Sequence, residues 1–217
     1  MTQATDSQFE PFTGLPVPTV GMVESGWQAR FLATPLLRRL APVHWQQLLQ
    51  GLRVASFSAG DTVIEARTPG ADCYVLQSGR ARVHAGSVTL AILEPGALFG
   101  EDALITGGLR NASVAMLTEG RVGALPAERF ERWLLNAVIR PLPRIGSRTA
   151  LCIDDVPPRG HRCLHVPLAR IRDPAIVLSA STAYCVVGRG LRERWLAAFV
   201  FAQQGHDALP LGDDAGA

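Results

Sequence analysis

Leu98-Phe99-Gly100-Glu101-Asp102-Ala103-Leu104-Ile105-Thr106-Gly107-Gly108-Leu109-Arg110-Asn111-Ala112-Ser113-Val114 is the stretch on which the reading of the whole chain turns. Gly100 has no side chain to keep its backbone away from a ligand. Glu101–Ile105 reads as one short helical turn whose unpaired N–H groups point back at that glycine and favour an anion. The pair Gly107-Gly108 turns the chain, and Arg110 returns to the same spot as a strand begins (Ala112, Val114, Met116). Arginine offers a planar fork of donors suited to two phosphate oxygens. Glu101 has nothing to offer a phosphate and needs a hydroxyl or ammonium to accept from. A guanidinium and a carboxylate converging on one small pocket point to a ligand with both hydroxyl and phosphate, a nucleotide.

Outward from this stretch, residues 54–125 are short apolar pieces separated by turn signals. Gly60-Asp61, Pro69-Gly70, Ser78-Gly79 and Pro95-Gly96 alternate with Val63-Ile64, Tyr74-Val75-Leu76, Ala81/Val83 and Val88/Leu90/Ile92. Short, evenly spaced strands predict an antiparallel roll rather than a parallel sheet. Before them, Trp45, Leu48, Leu49 and Leu52 repeat at helical spacing, with Pro42 suited to a first turn. After them, Pro126 opens a predicted helix with Phe130, Trp133, Leu134, Ala137 and Val138 on one face, ended by Pro141 and Pro143. Residues 1–26, without periodicity, read as a loose arm with Phe9, Phe12 and Val17 available to dock.

The decisive stretch resembles the phosphate-binding cassette of the cyclic nucleotide-binding domains. Phe99-Gly100-Glu101, the apolar turn Ala103-Leu104-Ile105 and Arg110-Asn111-Ala112 fall on that family's pattern. Ala59-Gly60-Asp61, Tyr74 to Gly79 and Leu93-Glu94-Pro95-Gly96 are similar to the landmarks of its β-roll, whereas Ala66-Arg67-Thr68 departs from its frequent glycine turn. The resemblance implies that Arg110 pairs with the cyclic phosphate and that Glu101 accepts from the ribose 2′-hydroxyl. Phe99, Gly100, Asp102, Ala103, Asn111 and Ala112 complete the implied ligand contacts. In the family the residue after the arginine is commonly Ala in adenine receptors and Thr in guanine receptors. Asn111 is neither, so cAMP and cGMP both stay open.

Composition bounds the alternatives. The 217 residues hold one large or two small domains, and 47% hydrophobic residues suffice for a packed core. A net charge of +2 suggests neither a nucleic-acid footprint nor an acidic tail. All 21 basic residues are arginine, which excludes a Walker-type nucleotide site and any lysine Schiff base. Arg30 is the first basic residue, so no secretory signal pattern is present, and no run of about 20 apolar residues offers a membrane span. Cys73, Cys152, Cys163 and Cys185 form no Cys-x-x-Cys pair, against a disulfide framework or zinc ribbon. The chain reads as cytoplasmic.

Residues 146–217 do not read as the consecutive amphipathic helices of a DNA-binding helix-turn-helix. They read as strand (Ala150–Ile153), a Pro- and Arg-rich loop, a short apolar piece (His165–Leu168), strand (Tyr184–Val187), Gly188-Arg189-Gly190 and a helix from Arg192 to Gln204 closed by Gly205. This order resembles a shortened rhodanese-like domain, through Cys152 to Val156, Val166-Pro167-Leu168, Tyr184 to Val187 and Ala197-Ala198-Phe199, and it is similar to bacterial proteins in which such a unit follows a cyclic nucleotide-binding one. Counting back from Ala197-Ala198 puts Gly188, not Cys185, at the family's nucleophile position. Cys185 then lies inside a strand, where a buried thiol is a small hydrophobe. The implied unit is non-catalytic, with Gly188, Arg189, Gly190 and Arg192 retained as an oxyanion loop.

Asp154 and Asp155, read as strand neighbours, point opposite ways. His161-x-Cys163-x-His165 lacks a fourth metal ligand and reads as a surface loop. Trp133 and Trp195 read as core.

The sequence therefore predicts an α+β chain. It comprises an N-terminal arm (1–26), a cyclic nucleotide-binding β-roll with flanking helices (27–145) and a degenerate α/β rhodanese-like unit (146–217). The expected function is that of a non-enzymatic sensor without cofactor, binding cAMP or cGMP, with the C-terminal unit as relay or docking surface for a protein partner or a second copy. Two alternatives stand beside it, a sulfurtransferase using Cys185 and a scaffold without ligand.

Overall fold

The computed structural model describes residues 9–11, 26–156 and 163–213, and it divides the chain into two compact units, Met1–Leu134 and Leu135–Ala217. Phe12, Val17 and His161 lie outside the described residues.

In the first unit, β1 (Glu10–Pro11) is followed by α1 (Trp27–Leu32), α2 (Pro42–Gln50) and the strands β2 (Arg53–Phe57), β3 (Thr62–Ile64), β4 (Asp72–Leu76), β5 (Ala81–Ala85), β6 (Val88–Leu93) and β7 (Leu98–Phe99). Then come α3 (Glu101–Thr106), β8 (Ser113–Met116), β9 (Gly120–Pro126) and α4 (Ala127–Phe130). Two antiparallel sheets result, in the orders β1-β2-β9-β4-β7 and β3-β8-β5-β6. Phe57, Leu76 and Val122 of the first sheet share one buried cluster with Ile64, Val114 and Met116 of the second. Each large side chain buried there contributes roughly 2 kcal/mol, so the cluster is what closes the roll.

The structure adds to the sequence reading at two places and corrects it at a third, the helix that follows Pro126. Val88, Leu90 and Ile92 do form a strand, but on the edge strand β6 they are 60%, 58% and 43% exposed, because among the described residues no layer covers that side. The helix predicted from Pro126 is interrupted: α4 runs into a π-helical turn at Glu131–Leu135 before α5 (Asn136–Val138). Phe130, Leu134 and Val138 are buried on it as expected, whereas Trp133 is only half-buried and carries the Arg129 guanidinium 5.4 Å from its ring centre. At 66–68, Arg67 adopts the left-handed conformation (φ 66°) that suits the family's glycine.

The second unit holds β10 (Thr149–Cys152), β11 (Leu164–His165), β12 (Ala183–Val187), α6 (Leu191–Gln203) and β13 (Asp207–Pro210). Its sheet is parallel throughout, in the order β11-β10-β12-β13. β12 is a continuous apolar run with Tyr184, Cys185 and Val186 buried, and β10 opens on the exposed Thr149 before the buried Leu151 and Cys152. α6 is buried from Leu196 through Ala202, on nearly every side, whereas Trp195 is half-buried rather than core.

Candidate functional site

Gly100 caps α3 with φ 83°, and a Cβ there would lie 2.8 Å from Ile64 Cδ1 and 2.9 Å from Arg110 Nη1. The position therefore needs glycine twice, for its backbone angle and for its space. Arg110 returns beside it, 6% exposed. Its Nη1 donates to the Gly100 carbonyl, its Nη2 donates to the Asp72 carbonyl at 2.6 Å, and the guanidinium lies 5.7 Å from the Tyr74 ring centre. A guanidinium has five N–H groups, so these two bonds fix its plane while leaving donors for an anion. Backbone bonds on both sides of Arg110, Arg110 N–H to Thr68 O and Arg67 N–H to Arg110 O, hold its main chain as well.

The remaining cassette residues separate into two groups. Phe99 and Ala103 are buried against this arginine's surroundings. Phe99 stacks on Tyr74 (5.5 Å, 25°), and a Cβ on Gly70 would touch Ala103 Cβ at 2.9 Å and Arg110 Cζ at 3.2 Å. Glu101 is 2% exposed in the first turn of α3, and Ala112 is buried. Asp102 and Asn111 instead meet each other, the Asn111 amide donating to the Asp102 carboxylate at 3.0 Å. Burial, and after it the Glu101 carboxylate, push the Cys73 thiol well above its usual range, while Arg110 opposes the shift. Burial likewise raises Tyr74, with Asp72 adding to the rise and Arg110 opposing it.

Sequence reasoning missed the supports of Arg110. Asp72 contributes a main-chain carbonyl, which no residue type advertises, and its carboxylate pairs with Arg53 at 3.0 Å. Arg53, Asp72, Tyr74, Ile64 and Arg110 line one cavity of about 900 Å³, and Phe9 of the arm lines it too.

The second expected site is built differently. Gly188 (φ 85°) and Arg189 (φ 41°) precede α6, and the Asp154 carboxylate fills the turn. Arg189 N–H donates to Asp154 Oδ1 at 2.6 Å, and a Cβ on Gly188 would lie 2.4 Å from Asp154 Oδ2. Arg189 Nη2 pairs with Asp155 at 2.6 Å. Arg194 is buried, donating to the carbonyls of Gly188, Arg189 and Leu211 and pairing with Asp213. Gly190 caps the helix, and Arg192 is exposed. The expectation that Asp154 and Asp155 diverge along a strand is corrected: β10 stops at Cys152, and both carboxylates bend onto Arg189. The oxyanion at this loop belongs to the chain itself.

Cys185 is fully buried in β12, and burial raises its thiol. His165 Nε2 bonds to the Asp154 carbonyl at 2.8 Å. Among the described residues no three His, Cys, Asp or Glu side chains are grouped to hold a metal, and no helix is long and apolar enough to cross a membrane.

Residues 54–137 match the family model of the cyclic nucleotide-binding domain. A cAMP-dependent protein kinase regulatory subunit from Hypocrea atroviridis is 29% identical over 119 residues, covering 54% of this chain and 26% of its own length. The human potassium/sodium hyperpolarization-activated cyclic nucleotide-gated channel 3 is 33% identical over 109 residues, covering 50% and 13%. The regulatory domain of Toxoplasma gondii protein kinase A, solved with cAMP, is 20% identical with a TM-score of 0.48, covering 52% of this chain and 44% of its own. The chain spans about a quarter of the length of the regulatory subunits it matches. Gly100, Glu101 and Arg110 all fall within 54–137, and by sequence that segment is a cyclic nucleotide-binding domain.

Proposed function

We propose that the first unit binds a cyclic nucleotide, cAMP or cGMP, and that the chain serves as a sensor or regulatory protein rather than an enzyme. The observation that carries this reading is Arg110: a buried guanidinium, held by two carbonyls and an aromatic face, with donors to spare beside the left-handed Gly100. A guanidinium presents a planar fork of donors, and a phosphate is the anion that this fork fits. Glu101 takes the ribose 2′-hydroxyl in this reading.

The second unit, read as a shortened rhodanese-like relay or docking surface, is supported by its parallel sheet and by the turn that leads from β12 into α6. A sulfurtransferase would need an accessible thiolate at that turn. Cys185 is buried in the strand instead, and the nucleophile position is Gly188 with a carboxylate against it.

Calorimetric titration with cAMP and with cGMP tests the proposal. Arg110→Ala should weaken binding by about a hundredfold, since hydrogen bonds to charged groups contribute about 1.5–3 kcal/mol each. Glu101→Gln should weaken it by tenfold or less, as a hydroxyl contact contributes about 1 kcal/mol. Unchanged affinity in Arg110→Ala would falsify the assignment.

A further inference from the structure

Phe9 belongs to the N-terminal arm, distant in sequence from every residue of the site. Its neighbours Glu10 and Pro11 add β1 to the edge of the first sheet, opposite Val54 and Arg53. Phe9 itself packs against the cluster between the sheets, its ring centre 6.1 Å from that of Phe57 and 6.0 Å from that of Tyr74. The Arg53 guanidinium lies 6.0 Å from the same ring. Tyr74 and Arg53 are the residues through which Arg110 is supported. Tyr74 offers Arg110 its face, and Arg53 pairs with Asp72, whose carbonyl accepts from Arg110. One aromatic side chain from the arm thus touches both supports.

We propose that Phe9 is a positioning residue for the anion site: docked through β1, the arm clasps Tyr74 and Arg53, and through them sets the guanidinium of Arg110. The inference rests on reading Arg110 as the phosphate-binding residue and adds a dependence of that site on residues 9–11. Without the ring, Tyr74 and Arg53 lose a packing partner that both share. The guanidinium must then be ordered when the ligand binds, at a cost to affinity. Linkage requires the converse, that a ligand which orders Arg110 also holds the arm.

The test uses the full chain, with Phe9→Ala, Phe9→Tyr and Arg110→Ala, titrated with cAMP and cGMP well below each variant's melting temperature. Phe9→Ala should bind about fivefold more weakly, the size expected when one side chain must be ordered on binding. Phe9→Tyr, which keeps the ring, should bind like the unaltered chain. Saturating nucleotide should slow hydrogen exchange at residues 9–11 and 53–57 in the unaltered chain and not in Phe9→Ala. Equal or tighter binding by Phe9→Ala overturns the proposal, the tighter case making the arm a stopper instead of a clasp. A lowered melting temperature with unchanged affinity also overturns it, since that is the signature of a merely structural contact. An unaltered chain that binds neither nucleotide, or binds equally well as Arg110→Ala, removes the reading of the site itself and the clasp with it.

Discussion

Two turns in this molecule use the same backbone device with opposite outcomes. Gly100 (φ 83°) leads into α3 and Gly188 (φ 85°) leads into α6, each strand-to-helix step made by a glycine in the left-handed region. At the first, the polar side chain pressed against the glycine, beside Ile64, is a guanidinium, with Arg110 Nη1 2.9 Å from where a Cβ would stand. At the second it is a carboxylate, with Asp154 Oδ2 at 2.4 Å. A cation beside such a turn invites an external anion, whereas an internal anion satisfies the turn and closes it. On the proposed reading, the charge of the group that reaches the turn, and not its backbone geometry, separates a binding site from a closed loop.

The largest expected effect breaks that contrast outright. Arg110→Glu places at the first turn the charge that the second turn already has, and calorimetry should then detect no binding of either nucleotide. A circular dichroism spectrum matching the unaltered chain would exclude unfolding as the cause.

Next in size is the second turn. Gly188→Ala must adopt a disfavoured φ and collide with Asp154, and should destabilise the second unit by about 2 kcal/mol in urea unfolding. Removing the obstacle sharpens the point. In an Asp154→Ala background the same substitution should cost only its backbone strain, about 1 kcal/mol. Additive costs would show that the carboxylate does not fill the turn.

The smallest effect concerns the thiols. Cys73, Cys152 and Cys185 are buried and raised by that burial, whereas Cys163 is partly exposed. Iodoacetamide at pH 7.5 should modify Cys163 in the native protein and spare the other three. Because the folded state keeps thiol protons that the unfolded chain releases, this contribution to stability is complete below the ordinary thiol range. It declines as pH rises through and above that range. Rapid modification of Cys185 at pH 7.5 would mean that the second turn is open after all.

What the sequence disclosed follows from how local each signal is. Gly100, Glu101 and Arg110 lie within eleven residues of one another, and a glycine, a short turn and a returning arginine specify their own geometry. The alternation of strands was equally legible, but burial of β6 was not: period two says that Val88, Leu90 and Ile92 share a face, not whether anything covers it. The supports of Arg110 were hidden for another reason. Asp72 acts through its main-chain carbonyl, and Phe9 acts through a ring contact with a residue far along the chain. At the second turn, Asp154 and Asp155 lie beyond the end of β10 and do not alternate as strand neighbours; both turn to Arg189, a contact with a residue 34 to 35 positions along the chain that local pattern does not disclose.

Arg67 carries a consequence for anyone engineering this protein. It sits left-handed at φ 66° while its N–H holds the Arg110 carbonyl. Exchanging it for glycine would relieve about 1 kcal/mol of backbone strain. The same exchange gives the unfolded chain a comparable amount of extra freedom, so the two nearly cancel. A screen for heat resistance would accordingly score position 67 as silent. The change would surface only as a slacker loop next to the arginine, in a property that thermal screens do not select.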